Sequence, residues 1–183
     1  MPDELIDICD DSGRLTGERK LKSEAHRDGL WHRAAHVWIY NAKGEVLLQL
    51  RAQGKQLYPG TLDVSAAGHV GANEEPAVAA ARELEEELGL RVQPSDLHFF
   101  KIVKNSPPFP GFKNNEFYYV YFLQYDGGTE AFKLQDEEVE SVKFFGISQI
   151  EKDLSSDKSR FVPHGSYWHE ILGELEKISK IIK

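Results

Sequence analysis

The feature that most constrains this chain is the segment GHVGANEEPAVAAARELEEELGL, residues 68–90, which predicts a helix with an apolar side and an acidic side. Pro76 suits a first helical turn, and Gly89 is typical of the residue that follows a last turn. Four small or aliphatic residues recur at helical spacing along one face: Ala77, Ala81, Leu84 and Leu88. Three carboxylates share an arc roughly 130° away from that face: Glu83, Glu86 and Glu87. We expect a helix over residues 76–88 that buries the apolar stripe and turns the glutamates towards a cleft.

The acidic arc of this helix needs either full solvation or a cation, because like charges one turn apart repel each other. A solvated acidic face would explain the glutamates alone. The flanking residues change that interpretation, since Ala79 and Ala80 turn towards the same arc and are small enough to leave room for an ion. Hard cations such as Mg²⁺ prefer carboxylate oxygens and retain waters. The pattern therefore predicts a Mg²⁺ site at the glutamates, with the Gly68 carbonyl as a further ligand.

The rest of the chain alternates between strand and helix signals. Apolar runs at residues 34–40 and 45–52 flank Gly44 and predict a β-hairpin, and a short strand over residues 64–67 is expected to stop at Gly68. Runs rich in aromatic and β-branched residues predict further strands at 97–104, 116–125 and 138–147. Residues 105–115 read as a loop rich in proline and glycine, and residues 166–182 as a C-terminal helix. This order favours a mixed sheet covered by two helices.

Composition bounds the class of protein. With 183 residues, 40% of them hydrophobic, the chain can form one sizeable core, so a single domain over residues 1–183 is expected. The net charge of -8 offers no basic surface to a nucleic acid polymer or an anionic membrane. The first residues lack the features of a signal peptide and no apolar stretch is long enough to span a bilayer, which predicts a cytoplasmic protein. A homodimer, the commonest soluble assembly, stays open.

Residues 68–90 resemble the Nudix box, the signature of hydrolases that cleave a nucleoside diphosphate linked to another moiety. The box reads G-x5-E-x7-R-E-U-x-E-E-x-G-U, with U an aliphatic residue, and all its positions are matched: Gly68, Glu74, Arg82, Glu83, Leu84, Glu86, Glu87, Gly89 and Leu90. The resemblance implies an α/β fold, namely a three-layer α/β/α sandwich around a mixed sheet. It also implies a diphosphate hydrolase that acts on a small molecule and uses Mg²⁺, with Mn²⁺ as an alternative.

By the same resemblance, the catalytic roles fall on the predicted helix. Glu86 and Glu87 would be the main Mg²⁺ ligands, and Glu83 would be a ligand or the base that deprotonates water. Arg82 would orient a carboxylate, and Glu74 would be structural or accessory. In such sites the metal neutralises the diphosphate and activates the attacking water.

A second resemblance, from about residue 20 to about residue 125, is to the type I isopentenyl diphosphate isomerases, which share the Nudix fold. That family builds a metal site from three histidines and two glutamates, and four of these five places are matched: His26, His32, His69 and Glu116. Asn114 stands at the fifth place, and Ala67 stands where the isomerases carry their catalytic cysteine. A methyl group cannot transfer a proton to an alkene, which argues against isomerase activity.

Several roles stay open at this point. His32, His69 and Glu116 are expected to bind substrate, and together with His26 they would hold a second metal if the isomerase-type site is retained. The general base is one of four residues: Glu83, Glu116, Glu137 or Glu138. A catalytically silent nucleotide-binding module is an alternative, although binding alone does not need the whole acidic cluster. Aromatic residues that could stack a base, but that core packing explains more simply, are Trp38, Tyr58, Phe109, Phe112 and Tyr118.

Overall fold

The computed structural model describes residues 3–106, 108–109 and 112–182. Its strands are β1 (Leu5–Cys9), β2 (Leu15–Leu21), β3 (Trp31–Tyr40), β4 (Glu45–Arg51), β5 (Leu62–Asp63), β6 (Ala66–His69), β7 (His98–Asn105), β8 (Pro108–Phe109), β9 (Phe112–Lys113), β10 (Glu116–Gln124) and β11 (Val139–Gly146). Its α-helices are α1 (Lys22–Asp28), α2 (Pro76–Leu88), α3 (Ile147–Ser156) and α4 (Ser166–Ile182). Among the described residues, no helix has both the length and the apolar character that crossing a membrane requires.

Strand β3 organises the main sheet, to which nine of the described strands belong. On one side it pairs in parallel with β10, which in turn pairs antiparallel with β7. On the other side it pairs with three strands in succession: β1 near its start, β6 in its middle and β4 at its end. The sheet is therefore mixed, as the sequence predicted.

The predicted hairpin forms, with Gly44 in the left-handed region at a φ of 79°. Its two strands pair only where Tyr40 faces Val46 and then diverge, because β6 takes the place beside β3. Residues 64–67 are not one strand, since β5 pairs with β4 and β6 pairs with β3. The prediction that this strand stops at Gly68 is wrong: β6 continues to His69, because a glycine can stay extended where its missing side chain makes room for a neighbour.

Helix α2 has the predicted bounds but turns a different arc towards the sheet. Its fully buried apolar residues are Ala79, Ala80, Leu84 and Leu88, whereas Ala77 and Ala81 are only half-buried. The prediction that Ala79 and Ala80 leave open space beside the glutamates is therefore wrong. The helix rests on the sheet along the boundary between its apolar and acidic arcs, and these two alanines lie on that boundary. Their small side chains let the helix axis approach the sheet closely.

The opposite face of the sheet is covered by α3 and α4. Their buried residues share a core cluster with Trp38, Leu48 and Phe122 of the sheet, and they include Ile150, Leu154, Trp168, Ile171, Leu172 and Leu175. Helices on both faces make three layers, which confirms the predicted α/β/α sandwich.

Helices α1 and α3 and strands β1, β2, β8 and β9 were not predicted from the sequence, and the prediction that residues 105–115 form only a loop is wrong, because β8 and β9 lie within them. Helix α1 has only seven residues, and β2 is exposed at all but one position, so neither carries a periodic apolar pattern. Strands β1 and β2 pair with each other, and β1 also pairs with β3. These elements are stabilised by tertiary contacts more than by local sequence preference.

Candidate active site

A cavity of about 1320 Å³ opens beside the acidic arc of α2. Its wall combines the α2 carboxylates, one face of β3, β6 and β10, and the loops near residues 54–58, 135–138 and 162–164. Most of the predicted site residues line it: His26, Gly68, His69, Arg82, Glu83, Glu86, Glu87, Glu116, Glu137 and Glu138. The expectation that the three glutamates of α2 face a cleft therefore matches the structure.

Glu83 and Glu87 are buried, with exposed fractions of 9% and 5%, whereas Glu86 is exposed at the rim. Gly68 explains how the Glu83 carboxylate fits beneath β6, because a β-carbon at Gly68 would overlap that carboxylate. Glu87 links strands β6 and β4, since its Oε2 accepts hydrogen bonds from the Ala67 N–H and the Gln49 Nε2, each at 3.2 Å. The glycine of the Nudix-like segment thus makes space for a carboxylate.

The buried carboxylates have strongly perturbed pKa values. Burial raises the pKa of Glu87 to about 8, and the neighbouring Glu83 adds to the rise. Burial also raises the pKa of Glu83 to about 7, although Arg82 opposes it. Ionising both carboxylates is therefore unfavourable in the absence of a compensating cation, and a bound metal ion would favour their ionised forms.

Arg82 is held among carboxylates. Its Nη1 donates to Glu83 Oε1 at 2.6 Å and to Glu86 Oε2 at 3.1 Å, and its Nε donates to Glu74 Oε1 at 3.0 Å. Its Nη2 donates to Glu74 Oε2 at 3.0 Å and to the His69 carbonyl at 2.9 Å. With its donors engaged in this way, Arg82 is suited to orient Glu83 and Glu86.

Strand register brings the histidines and Glu116 together. His32 on β3 lies opposite Glu116 on β10, and His69 on β6 lies opposite Ala34, two residues further along the same face of β3. Helix α1 adds His26, whose Nε2 lies 3.3 Å from the Nε2 of His69. One ligand atom from each histidine lies within 4.8 Å of the others. The four matched residues of the isomerase-like pattern therefore lie together in the structure.

Backbone carbonyl groups fix the orientation of the His26 and His32 rings through their Nδ1 atoms. His26 Nδ1 lies 3.1 Å from the Lys113 carbonyl and His32 Nδ1 lies 2.9 Å from the Leu30 carbonyl, which directs both Nε2 atoms into the cluster. His32 Nε2 is buried at 3.4 Å from Glu116 Oε1, yet it has no aligned hydrogen-bond partner in the described part of the chain. His69 Nε2 lies 3.2 Å from the same oxygen.

Titration in this cluster follows burial and proximity. Burial lowers the pKa of His69 to about 4, although Glu116 opposes the change. Burial also lowers the pKa of His26, and the nearby His32 adds to the effect. For Glu116, burial works to raise the pKa, but His32 and His69 hold it well below its usual range. Asn114 donates its side-chain amide to Glu116 Oε2, so the fifth position of the isomerase pattern supplies a neutral group.

The remaining candidates divide between the cavity and the core. Glu138 forms an ion pair with Lys55, and Glu137 lines the cavity. Tyr58 and Tyr118 also line the cavity, whereas Trp38 is fully buried in the core. The side chains of Phe109 and Phe112 lie outside the described residues.

Sequence reasoning missed the pair formed by Asp63 and His164. The two residues are 101 positions apart, and His164 Nε2 lies 2.8 Å from Asp63 Oδ1. Both residues line the cavity. No local motif marks either residue, because the contact exists only through the pairing of β5 with the segment before α4.

Comparisons with known proteins agree with this architecture. Residues 30–165 match the NUDIX domain family. The chain is 39% identical to Nudix hydrolase 3 of Arabidopsis thaliana over 189 residues, which cover 100% of this chain and 24% of that protein. The chain thus spans about a quarter of that relative's length.

Two further similarities concern the branch and the fold. The chain is 28% identical to isopentenyl-diphosphate Delta-isomerase of Serratia proteamaculans, covering 87% of this chain and 86% of that protein. The crystal structure of DR0079 from Deinococcus radiodurans superposes with a TM-score of 0.72 at 20% identity, over 91% of this chain and 98% of that chain. The intact acidic segment, the sandwich fold and these matches lead to one conclusion: the chain belongs to the Nudix hydrolase family, in the branch that includes isomerase-like relatives.

Proposed function

We propose that this protein hydrolyses a diphosphate linkage in a nucleoside diphosphate derivative or a related small molecule, with Mg²⁺ as its metal and Mn²⁺ as an alternative. The observation that carries this proposal is the pair of buried carboxylates, Glu83 and Glu87, at the wall of a large cavity. Two carboxylates with raised pKa values are costly for a fold unless a cation shares their site.

The residues present fit such a cation. Glu83, Glu86 and Glu87 supply carboxylate oxygens, and the Gly68 carbonyl supplies a further oxygen of the kind that Mg²⁺ prefers. When bound, the metal would offset the charge of the diphosphate and increase the acidity of the attacking water. Arg82 keeps two of the carboxylates oriented, and β6 excludes bulk water from Glu83.

The proton acceptor is one of four glutamates that line the cavity: Glu83, Glu116, Glu137 or Glu138. Glu138 is paired with Lys55, and Glu116 is held ionised by His32 and His69. Glu83 is engaged by Arg82, and Glu137 has no cationic partner among the described contacts.

A second function is suggested by the histidine cluster, which resembles the metal site of the isomerases. Its three imidazoles and Glu116 fit a divalent metal, since the buried His32 Nε2 has no hydrogen-bond partner among the described residues. Isomerisation nevertheless lacks its proton-transfer group, because Ala67 offers only a methyl side chain, and its N–H donates to Glu87. A diphosphate-recognition role for the histidines is the corresponding hydrolytic alternative.

The test is phosphate or nucleotide release from a panel of nucleoside diphosphate derivatives with Mg²⁺ or Mn²⁺. Wild type and Glu85→Gln, a control on the exposed side of α2, should hydrolyse at least one substrate, whereas Glu87→Gln should not. Conversion of isopentenyl diphosphate to its isomer would instead establish the isomerase alternative. Tight nucleotide binding with no turnover on any substrate would support the silent module.

A further inference from the structure

The cavity has a second polar wall, which the Nudix-like segment does not contain. This wall is formed by His36 on β3, Asp63 at the end of β5, and His164 before α4. The Val162 N–H donates to the Leu62 carbonyl at 2.9 Å. This hydrogen bond holds the segment before α4 alongside β5, so that His164 lies beside Asp63.

Asp63 fixes which nitrogen of His164 carries hydrogen. Its carboxylate is 3% exposed, and Oδ1 accepts from the Val64 N–H and from His164 Nε2, each at 2.8 Å, while Oδ2 accepts from Arg51 Nη1 at 3.0 Å. Burial works to raise the pKa of Asp63, but His164 and Arg51 hold it well below its usual range. Because an ionised carboxylate only accepts, His164 donates through Nε2, and its uncharged form has a lone pair on Nδ1.

His36 presents the opposite polarity. The Tyr167 hydroxyl accepts a hydrogen bond from Trp38 Nε1 at 2.9 Å and lies 3.1 Å from His36 Nδ1. Its own hydrogen has no other acceptor among the described contacts, so we assign it to His36 Nδ1. Burial lowers the pKa of His36 to about 3, so its imidazole is neutral and its hydrogen lies on Nε2. Among the hydrogen bonds of the described residues, none involves this Nε2 or His164 Nδ1.

We propose that His36 and His164 form a subsite that binds the lactam edge of a planar heterocycle, with His36 Nε2 donating to a ring carbonyl and His164 Nδ1 accepting from the adjacent N–H. This inference rests on the proposed function, because it concerns the part of the substrate beyond the diphosphate. The centroids of the two rings are 5.6 Å apart at an interplanar angle of 67°, so the two imidazoles are neighbours at one wall of the cavity.

The chemistry of the wall favours a polar ring over a hydrocarbon chain. A prenyl group placed here would cover both ring nitrogens without giving either a partner, which carries a desolvation penalty. The neighbouring surfaces are flat or rigid: Tyr118 stacks on His36 with centroids 3.9 Å apart, and Val162 and Pro163 line the cavity next to His164. Planar rings pack well against such surfaces.

The test compares two ligands of nearly equal shape, the hydrolysis-resistant α,β-methylene analogues of UDP and CDP. Uracil has the proposed carbonyl and N–H, and cytosine reverses them. Calorimetry with Mg²⁺ should show about tenfold tighter binding of the UDP analogue, the factor expected for about one hydrogen bond. His164→Phe should lower its affinity about tenfold and bring the two affinities together. The control His169→Phe, exposed on α4, should change neither affinity.

Wild-type protein provides a measurement that does not depend on the folding of a variant. Long-range ¹H–¹⁵N spectra should show the ring nitrogens of His36 and His164 shifting with the UDP analogue and staying in place with inorganic pyrophosphate. Equal shifts with both, or equal affinity of wild type for the two analogues, would overturn the subsite. Neither measurement requires turnover, so a failed subsite is distinguishable from a failed hydrolase, which the Glu87→Gln assay decides.

Discussion

At Gly68, the absence of a side chain determines where the Glu83 carboxylate is able to lie. The position is an extended residue of β6, and its lack of a β-carbon leaves the space that the Glu83 carboxylate fills. Arg82 then holds that carboxylate from the other side at 2.6 Å. A glycine that the sequence predicts to end a strand therefore lies within the strand and makes room for the Glu83 carboxylate.

Gly68→Ala should consequently impair the site more than the fold. The new β-carbon displaces the flexible end of Glu83, so we expect metal affinity and turnover to fall on the order of 10- to 100-fold. The melting temperature should change little. Gly173→Ala on α4, where an added β-carbon meets nothing within 4 Å, is the matched control and should retain full activity. An equally active Gly68→Ala variant would contradict the role given to Glu83.

Glu86→Gln and Glu87→Gln should separate activity from stability. Each prevents one member of the carboxylate cluster from ionising, so turnover should fall by on the order of 100-fold or more while the melting temperature without metal stays equal or rises slightly. At residue 87 an amide oxygen is able to keep the hydrogen bonds from Ala67 and Gln49, since both reach the same carboxylate oxygen. Thermal melts in a chelator test this, and clear destabilisation would mean that the cluster is structural.

Among the elements, helix α2 both packs against the sheet and presents glutamates to the cavity. Burying only its apolar stripe would point the glutamates away from the sheet, whereas resting on the boundary buries Ala80 and places Glu83 and Glu87 at the cavity. The alanines at this boundary set the distance between helix and sheet.

Ala80→Leu should therefore destabilise the protein. The larger side chain has no space against the sheet, and overpacking of this kind costs about 1–3 kcal/mol. Val78→Leu, at a position 46% exposed on the same helix, should be nearly neutral. Urea unfolding of the two variants provides the comparison, and equal stabilities would show that α2 is not seated closely.

The histidine cluster depends on three elements, since α1, β3 and β6 each contribute one ring. If it coordinates a metal, the variant with His26, His32 and His69 all changed to Ala should contain about one metal ion per chain fewer than wild type. Metal analysis after gel filtration, with His98→Ala as an exposed control, measures this. Unchanged metal content with weakened substrate binding would instead assign the rings to diphosphate recognition.

At the scale of the whole molecule, two groups of buried residues give the folding stability opposite dependences on pH. The pKa of His36 is lowered to about 3 and that of His69 to about 4, so below about pH 6.5 the unfolded chain takes up protons that the folded state refuses. Stability from these histidines is lost as pH falls. The pKa of Glu83 is raised to about 7 and that of Glu87 to about 8, so above about pH 4.5 the unfolded chain releases protons that the folded state keeps. Stability is lost there as pH rises.

Without divalent cations, the melting temperature should therefore be highest between about pH 4.5 and 6.5 and should decline towards pH 8. Adding Mg²⁺ should raise it most at pH 8, because cation binding requires ionised carboxylates. Glu87→Gln should flatten the decline. A metal-free melting temperature that rises from pH 6 to pH 8 would contradict the raised pKa values.

Local pattern was sufficient for the helix at residues 76–88, for the strands that became β7, β10 and β11, and for the family. Periodicity, Pro76 and Gly89 act within a few residues of the chain, so their consequences are readable without the fold. Which arc of α2 faces the sheet could not be predicted from the sequence. The apolar and acidic arcs adjoin each other, so the sequence pattern allows the helix to pack through the apolar arc alone or through the boundary between the two arcs.

What the sequence determined alone is the identity of the carboxylate cluster and the α/β character of the chain, because both follow from spacing within single elements. Only the tertiary structure decided which residues meet. Strand register set His32 opposite Glu116, and the pairing of β5 joined Asp63 to His164 across 101 positions. The energy of such contacts comes from burial and from hydrogen bonds between distant segments, and no local pattern in the chain encodes those partners.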